Sequence, residues 1–193
     1  NRNMLLATEA SESLPQLNGL MRVNLAQYNL DRRLFRRVPR SMSRVDPSLV
    51  DTFRALVCGE LPWPLFLFGP VGSGKTHAAL SLCDFVDKSH YTTVEVLMND
   101  VMDNDCDPWI DVRSADVAVL DEIGCRVKVT DLEYSSAKRF CDEREMYGYR
   151  VAVFVSNVKP QDVSSLYDSR IADRMLCGTT FRLDNKSRRQ PCA

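Results

Sequence analysis

The sequence predicts an α/β fold in which a mostly parallel sheet is covered by helices on both faces. Three observations predict it. Short apolar runs, LFLF, VAVL and VAVFV, alternate along the chain with stretches of helical periodicity, the order that builds parallel strands joined by crossover helices. The VAVL and VAVFV runs are apolar at every position, as strands buried on both faces must be. Three runs end in Gly69, in Asp121-Glu122 and in Ser156-Asn157, and in open sheets of this kind ligands sit beyond the carboxyl ends of the strands.

Composition narrows the class. The 193 residues are 45% hydrophobic and 26% charged, enough apolar material for one domain with a short appendage. A net charge of −1 leaves nucleic acid, if bound, to local basic patches. The seven cysteines at 58, 83, 106, 125, 141, 177 and 192 form no CxxC pair. That scatter argues for reduced thiols in a cytoplasm and against a zinc centre. No apolar run approaches the ~18 residues of a membrane span, and the N-terminus lacks a signal-peptide core; the expected location is cytoplasmic, with no membrane partner.

Taken in order, residues 1–37 form an N-terminal arm, residues 38–189 the main domain and residues 190–193 a tail. The arm is weakly patterned, with Leu14, Leu17, Leu20, Leu25 and Leu30, and reads equally as a mobile segment or a partner-docking helix. DRRLFRRVPRSMSR, residues 31–44, holds six arginines against one aspartate: a phosphate-contacting patch or a solvated edge near a neighbouring subunit. Asp46 to Glu60 reads as a helix with Pro47 in its first turn and Val50, Phe53, Leu56 and Val57 on one face. Pro64 to Phe68 is a buried strand, and after a glycine-rich turn Ala79, Leu82, Cys83 and Val86 mark a helix.

Thr92 to Leu97 alternates in a β-branched run and reads as the second strand. The following stretch carries Asp100, Asp103, Asp105, Asp107, Asp111 and Asp116 and reads as an acidic surface turn. It is no calcium loop, because Pro108 and Ser114 stand where such a loop needs Gly and Glu. Val117 to Leu120 is a third strand. Thr130-x-x-Glu133 is a capping box that starts a helix with Tyr134, Ala137, Phe140 and Cys141 inward and Gly148 at its end. Val151 to Val155 is a strand, Asp162 to Leu176 one helix, and Thr179 to Leu183 the last strand before a basic tail. No internal repeat is present.

The chemistry gathers at the strand ends. Residues 69–76, GPVGSGKT, match GxxxxGK[ST] through Gly69, Gly74, Lys75 and Thr76, between an apolar strand and an amphipathic helix. Such a loop points backbone N–H groups inward, adds the positive end of the helix, extends a lysine to the β- and γ-phosphates and offers a hydroxyl to Mg²⁺. Gly69, Pro70, Val71, Gly72, Ser73, Gly74, Lys75, Thr76 and His77 therefore form the expected triphosphate cradle, with ATP and Mg²⁺ as its cofactors. Asp121 is placed to hold the metal opposite Thr76, and Glu122 to take a proton from an attacking water. Asn157 can orient that water or simply form a turn. Arg170 and Arg174 share a helical face at i, i+4, where like charges repel unless an anion is near. That anion is either a neighbour's γ-phosphate or local carboxylates such as Asp168 and Asp173. His77 and His90 have no metal-like partner in the sequence.

With these residues in order, VPRSM, GPVGSGKTHAA, ADVAVLDEIG, VAVFVSN, LYDSRIADRM and DNKSRR resemble an AAA+ ATPase of the bacterial replicative-helicase loader type, the DnaC/IstB-like family. The resemblance implies that Lys75 and Thr76 are Walker A, Asp121 and Glu122 Walker B, and Asn157 sensor 1. It further implies that Arg174 is a trans-acting arginine finger with Arg170 its companion, and that Arg188 or Arg189 lies near the nucleotide. The implied fold is a three-layer P-loop NTPase (AAA+/ASCE) with a five-stranded sheet in order 5-1-4-3-2 and no C-terminal helical lid. The family usually places a longer helical segment, involved in filament formation and single-stranded DNA contact, where this sequence reads as the acidic turn. Its helicase-binding region normally precedes the ATPase domain, where residues 1–37 lie here. The implied function is ATP-driven placement of a replicative helicase on DNA, by a homo-oligomer joined through its nucleotide sites, with single-stranded DNA a candidate ligand. A transposition helper ATPase, a viral superfamily 3-type helicase and a fold merely held together by nucleotide are the alternatives.

Overall fold

The computed structural model describes residues 44–184 except 85, 87, 104–106, 127 and 147–150. The expectations for the arm, most of the arginine-rich stretch, Asp105, Gly148, Arg188, Arg189 and the tail lie outside these residues. Helix α1 spans Pro47–Val57, capped by the Asp46 side chain on the Ser48 N–H. Strand β1 is Leu65–Phe68, helix α2 Lys75–Cys83, strand β2 Ser89–Thr93, helix α3 Val94–Met102 and helix α4 Pro108–Ser114. There follow β3 (Val117–Ile123), α5 (Asp131–Met146), β4 (Ala152–Ser156), α6 (Pro160–Tyr167), α7 (Ser169–Leu176) and β5 (Thr179–Arg182).

The five strands form one parallel sheet in the order β2-β3-β4-β1-β5, which is 5-1-4-3-2 as expected. This is the three-layer α/β architecture, with the strand order, expected of a P-loop NTPase fold. Alternate strand residues feed two cores, since neighbouring side chains leave opposite faces of a strand. Phe66, Ala118, Leu120, Ala152 and Phe154 pack under α3 to α7, whereas Leu65, Leu67, Val117, Val119, Val153 and Val155 pack under α1 and α2. Both faces are covered, so these strands carry no polar side until their carboxyl ends.

Three expectations are corrected. The second strand is Ser89–Thr93, earlier than expected, and the Thr93 side chain caps α3 on the Val96 N–H at 3.2 Å. The β-branched run misled, while Val94, Leu97, Met98 and Val101, spaced i, i+3, i+4, i+7, carry the helical period; the first three are buried and Val101 packs against them. The acidic stretch holds the end of α3 and all of α4: Asp107 caps α4 on the Trp109 N–H at 3.1 Å with Pro108 in its first turn, the same Asp-Pro opening that starts α1. Two short helices, α3 and α4, thus fill the space between β2 and β3. The single helix expected over Asp162 to Leu176 is two, broken at Asp168, whose φ of 104° no helix accommodates.

Arg144 on α5 is buried and bridges the layers at the amino ends of the strands. Its guanidinium donates to the carbonyls of Val112 (2.7 Å), Ala115 (2.8 Å), Asp116 (3.3 Å) and Val151 (2.8 Å). It serves the end of α4 and the entries to β3 and β4 together, where buried carbonyls need donors; the Val151 carbonyl also accepts the Ala118 N–H at 3.2 Å. Burial pulls its pKa down to about 10, so it stays charged at neutral pH.

Candidate functional site

The parallel register brings three strand ends level: Phe68 pairs with Ser156, and Ser156 with Ile123. Gly69, Asn157 and the Asp121-Glu122 pair therefore emerge side by side, with Asn157 on the central strand between the other two. Between Leu120–Phe154 and Ile123–Ser156 strand β3 uses one more residue than β4, a bulge of the kind that re-aims side chains at strand ends. Glu122 has φ 64° there and Gly124 φ 67°; a left-handed glutamate is rare and marks a backbone held by its surroundings. The buried Ser156 hydroxyl donates to the Ile123 carbonyl at 2.7 Å and accepts the Val158 N–H at 2.9 Å, tying the β3 and β4 ends across Asn157.

The glycine-rich turn leads from β1 into α2. Gly74 occupies the N-cap at φ 98° with no side-chain cap bond, so the first N–H groups of α2 remain open to an anion. Gly69 serves close approach: a Cβ there would lie 2.2 Å from the Leu183 carbonyl oxygen of the segment after β5. Lys75 is buried, its ammonium donating to the Gly69 and Pro70 carbonyls at 2.9 Å each, which curls the lysine over the loop. The Ser73 hydroxyl is buried with no hydrogen-bond partner among the described residues.

Opposite the loop, the Thr76 hydroxyl donates to Asp121 Oδ2 at 2.7 Å. Tyr91 donates to the same oxygen at 2.7 Å, and the Glu122 N–H reaches Asp121 Oδ1 at 2.6 Å. Burial pushes the Asp121 carboxyl up, and these bonds together with the charge of Lys75 offset that only in part, so it stays above the usual carboxylate range. The Glu122 side chain is exposed and its carboxyl is raised, by partial burial first and then by Asp121 and Glu95, the direction that suits a proton acceptor. Asn157 is exposed and its amide donates to Cys125 Sγ at 3.4 Å. Partial burial first, and then Glu122 and Asp121, push the Cys125 thiol up. Val71 and His77 flank the cradle, Val71 exposed at the loop tip.

The two arginines stand apart from this cluster. Arg174 is paired with Asp142 and, at 3.4 Å, with Glu145 of α5. Arg174 thus meets carboxylates of α5, while the charge of Arg170 acts on Asp168, whose carboxyl is lowered first by the Tyr134 hydroxyl and the α7 amides and least by Arg170. Arg170 is exposed and makes no ion pair among the described residues. Tyr91 and Ser156 are site residues that sequence reasoning passed over. Ser156 directly precedes the Asn157 that was singled out, but Tyr91 lies in a strand placed too late, so its reach to Asp121 was hidden.

The residues present fit a magnesium nucleoside triphosphate. A hydroxyl and a carboxylate 2.7 Å apart are the hard oxygen donors such a cation takes, an ammonium lies over the loop, and a buried loop hydroxyl awaits a partner.

No protein-family profile matches this sequence, and no curated protein matches it. Solved structures do. A DNA replication initiation factor superposes with a TM-score of 0.62 at 15% identity, covering 75% of this chain and 49% of the other. AMPPCP-bound DnaA from Aquifex aeolicus gives 0.59 at 17% identity over 72% of this chain and 46% of that one. The DnaC helicase loader gives 0.55 at 17% identity over 72% of this chain and 89% of that one. At these identities the likeness is one of fold. The chain spans about half the length of the first two structures it matches.

Proposed function

We propose that the chain is an ATPase that binds Mg·ATP at residues 69–77 and hydrolyses it at the level strand ends. The single observation that carries this reading is the Thr76–Asp121 hydrogen bond of 2.7 Å, formed across 45 residues between the loop and the carboxylate strand. Lys75 and the open N–H groups of α2 bind the phosphates, and Thr76 with Asp121 would hold Mg²⁺, directly or through water. Once bound, the ion would offset charge that develops on the phosphate oxygens. Glu122 accepts the proton of the attacking water, and Asn157 orients that water from the central strand. Arg174, with Arg170 its companion on α7, would reach a neighbouring copy's nucleotide on assembly, exchanging its α5 carboxylates for the γ-phosphate.

The biological role we infer is that of a replication ATPase of the helicase-loader kind, acting as an oligomer on a replicative helicase. What supports this reading is the likeness of fold to a DNA replication initiation factor, to DnaA and to the DnaC helicase loader, together with the motifs that resemble the loader family. Helices α3 and α4 stand where the resembling family contacts single-stranded DNA, so DNA is a candidate ligand of that segment. Phosphate release measured with ATP and Mg²⁺ tests the enzyme claim. Glu122→Gln should retain nucleotide binding with turnover reduced about a hundredfold or more, and Lys75→Ala should abolish both. Unchanged turnover in Lys75→Ala would refute the assignment.

A further inference from the structure

Two adjacent residues of α5 are tied to two adjacent residues at the α6–α7 break, phenol to carboxylate in both directions. Tyr167 donates to Glu133 Oε1 at 2.5 Å, and Tyr134 donates to Asp168 Oδ2 at 2.6 Å. The Tyr167 oxygen also accepts the Gly124 N–H at 3.3 Å. One end of this double latch therefore closes on the turn that carries Glu122.

That turn needs holding. Glu122 and Gly124 both have positive φ, and a non-glycine residue stays in that region only where its surroundings over-determine it. Ser156 grips the Ile123 carbonyl from β4; Tyr167 grips the next amide from α6. A side chain at position 124 would meet Val158 at 2.7 Å and Leu166 at 2.9 Å, so the turn also lies tightly against α6.

The latch is anchored well. Glu133 is buried, and its Oε2 has no hydrogen-bond partner among the described residues, which leaves the Tyr167 hydroxyl as the donor that compensates the buried carboxylate. The site lies in the first turn of α5, whose positive end favours an acid. On the other side, Asp168 caps α7 by accepting the Arg170 and Ile171 N–H groups at 2.9 Å each. The helix carrying Arg170 and Arg174 thus begins two residues after Tyr167, with only its cap Asp168 between.

We propose that Tyr167, held by Glu133, is a positioning residue that fixes the Glu122–Gly124 turn for the hydrolytic step and makes its geometry depend on the seat of α7. The proposal rests on the ATPase reading above. Tyr167→Phe keeps the ring in its packing and removes only the hydroxyl. It should leave ATP affinity within about twofold, lower kcat by roughly ten- to a hundredfold, and speed hydrogen exchange of the Gly124 amide by about tenfold without nucleotide. Glu133→Gln, which keeps an acceptor oxygen, should retain most of the rate and of the protection, whereas Glu133→Leu should behave as Tyr167→Phe. Wild-type kcat together with wild-type exchange in Tyr167→Phe overturns the proposal. So does a loss of rate that appears wholly in KM. If the wild-type chain turns over no ATP, the ATPase reading fails by itself. Exchange at Gly124 then decides whether Tyr167 pins the turn: acceleration in Tyr167→Phe supports it, and no change overturns it.

Discussion

Asp121 shows how one buried carboxylate is made useful. It is 3% exposed, a setting that would drive it neutral, yet two hydroxyls, its neighbour's amide and a nearby ammonium oppose that. A different balance governs Asp142, a third exposed beside α7. Burial alone would raise its carboxyl, but Lys138 and Arg174 override it and the net shift is downward. A carboxyl depressed by folding stabilises the fold above its unfolded pKa, near 3.9, and that contribution is lost as pH falls through the lower folded value. The urea midpoint of Asp142→Asn should therefore lie below that of the wild type at pH 7, and by a smaller gap at pH 3. An equal gap at both pH values would mean that the Arg174–Asp142 pair contributes through packing alone.

At the scale of elements, Arg144 decides more than any charged pair on the surface. Replacing it by Leu removes the guanidinium from four carbonyls at the end of α4 and the entries to β3 and β4, of which Val151 keeps the Ala118 N–H as a backbone donor, a loss of about 3 kcal/mol or more. Lys138→Leu, on the exposed face of the same helix with one i,i+4 pair, should change stability by less than about 1 kcal/mol. Chemical denaturation of the two variants side by side checks the contrast; similar losses would show that the carbonyls find other partners. Nothing in the sequence separates Arg144 from Arg139 five residues earlier, because the carbonyls it satisfies come from segments brought together only by the sheet. The strands β1, β3 and β4 were legible because each is a wholly apolar run with a polar end. The β2–α3 boundary was not, since Thr92 to Leu97 satisfies the two-residue period and the helical period at once, and only the Thr93 cap resolves it. The break at Asp168 was hidden for another reason: its positive φ is sustained by Tyr134, 34 residues away, and by the cap on α7.

Across the whole molecule, the sheet order does the work of assembly. By placing β4 between β1 and β3, it sets Asn157 beside the loop on one side and the Asp121-Glu122 pair on the other, and the bulge in β3 turns Glu122 out. The loop, the carboxylate pair and the asparagine were all readable from their motifs, because each lies at the end of a strand whose identity was clear. Tyr91, Ser156 and Tyr167 were not readable, since they act through hydroxyls delivered by tertiary packing. The central claim is that loop and strand ends form one composite magnesium–triphosphate site, and equilibrium titration of ATP into the chain, with and without Mg²⁺, tests it most directly. One ATP should bind per chain, more tightly with Mg²⁺, and Asp121→Ala should erase the Mg²⁺ gain while leaving the metal-independent binding in place. A magnesium gain undiminished in Asp121→Ala, or ATP binding undiminished in Lys75→Ala, would contradict the account.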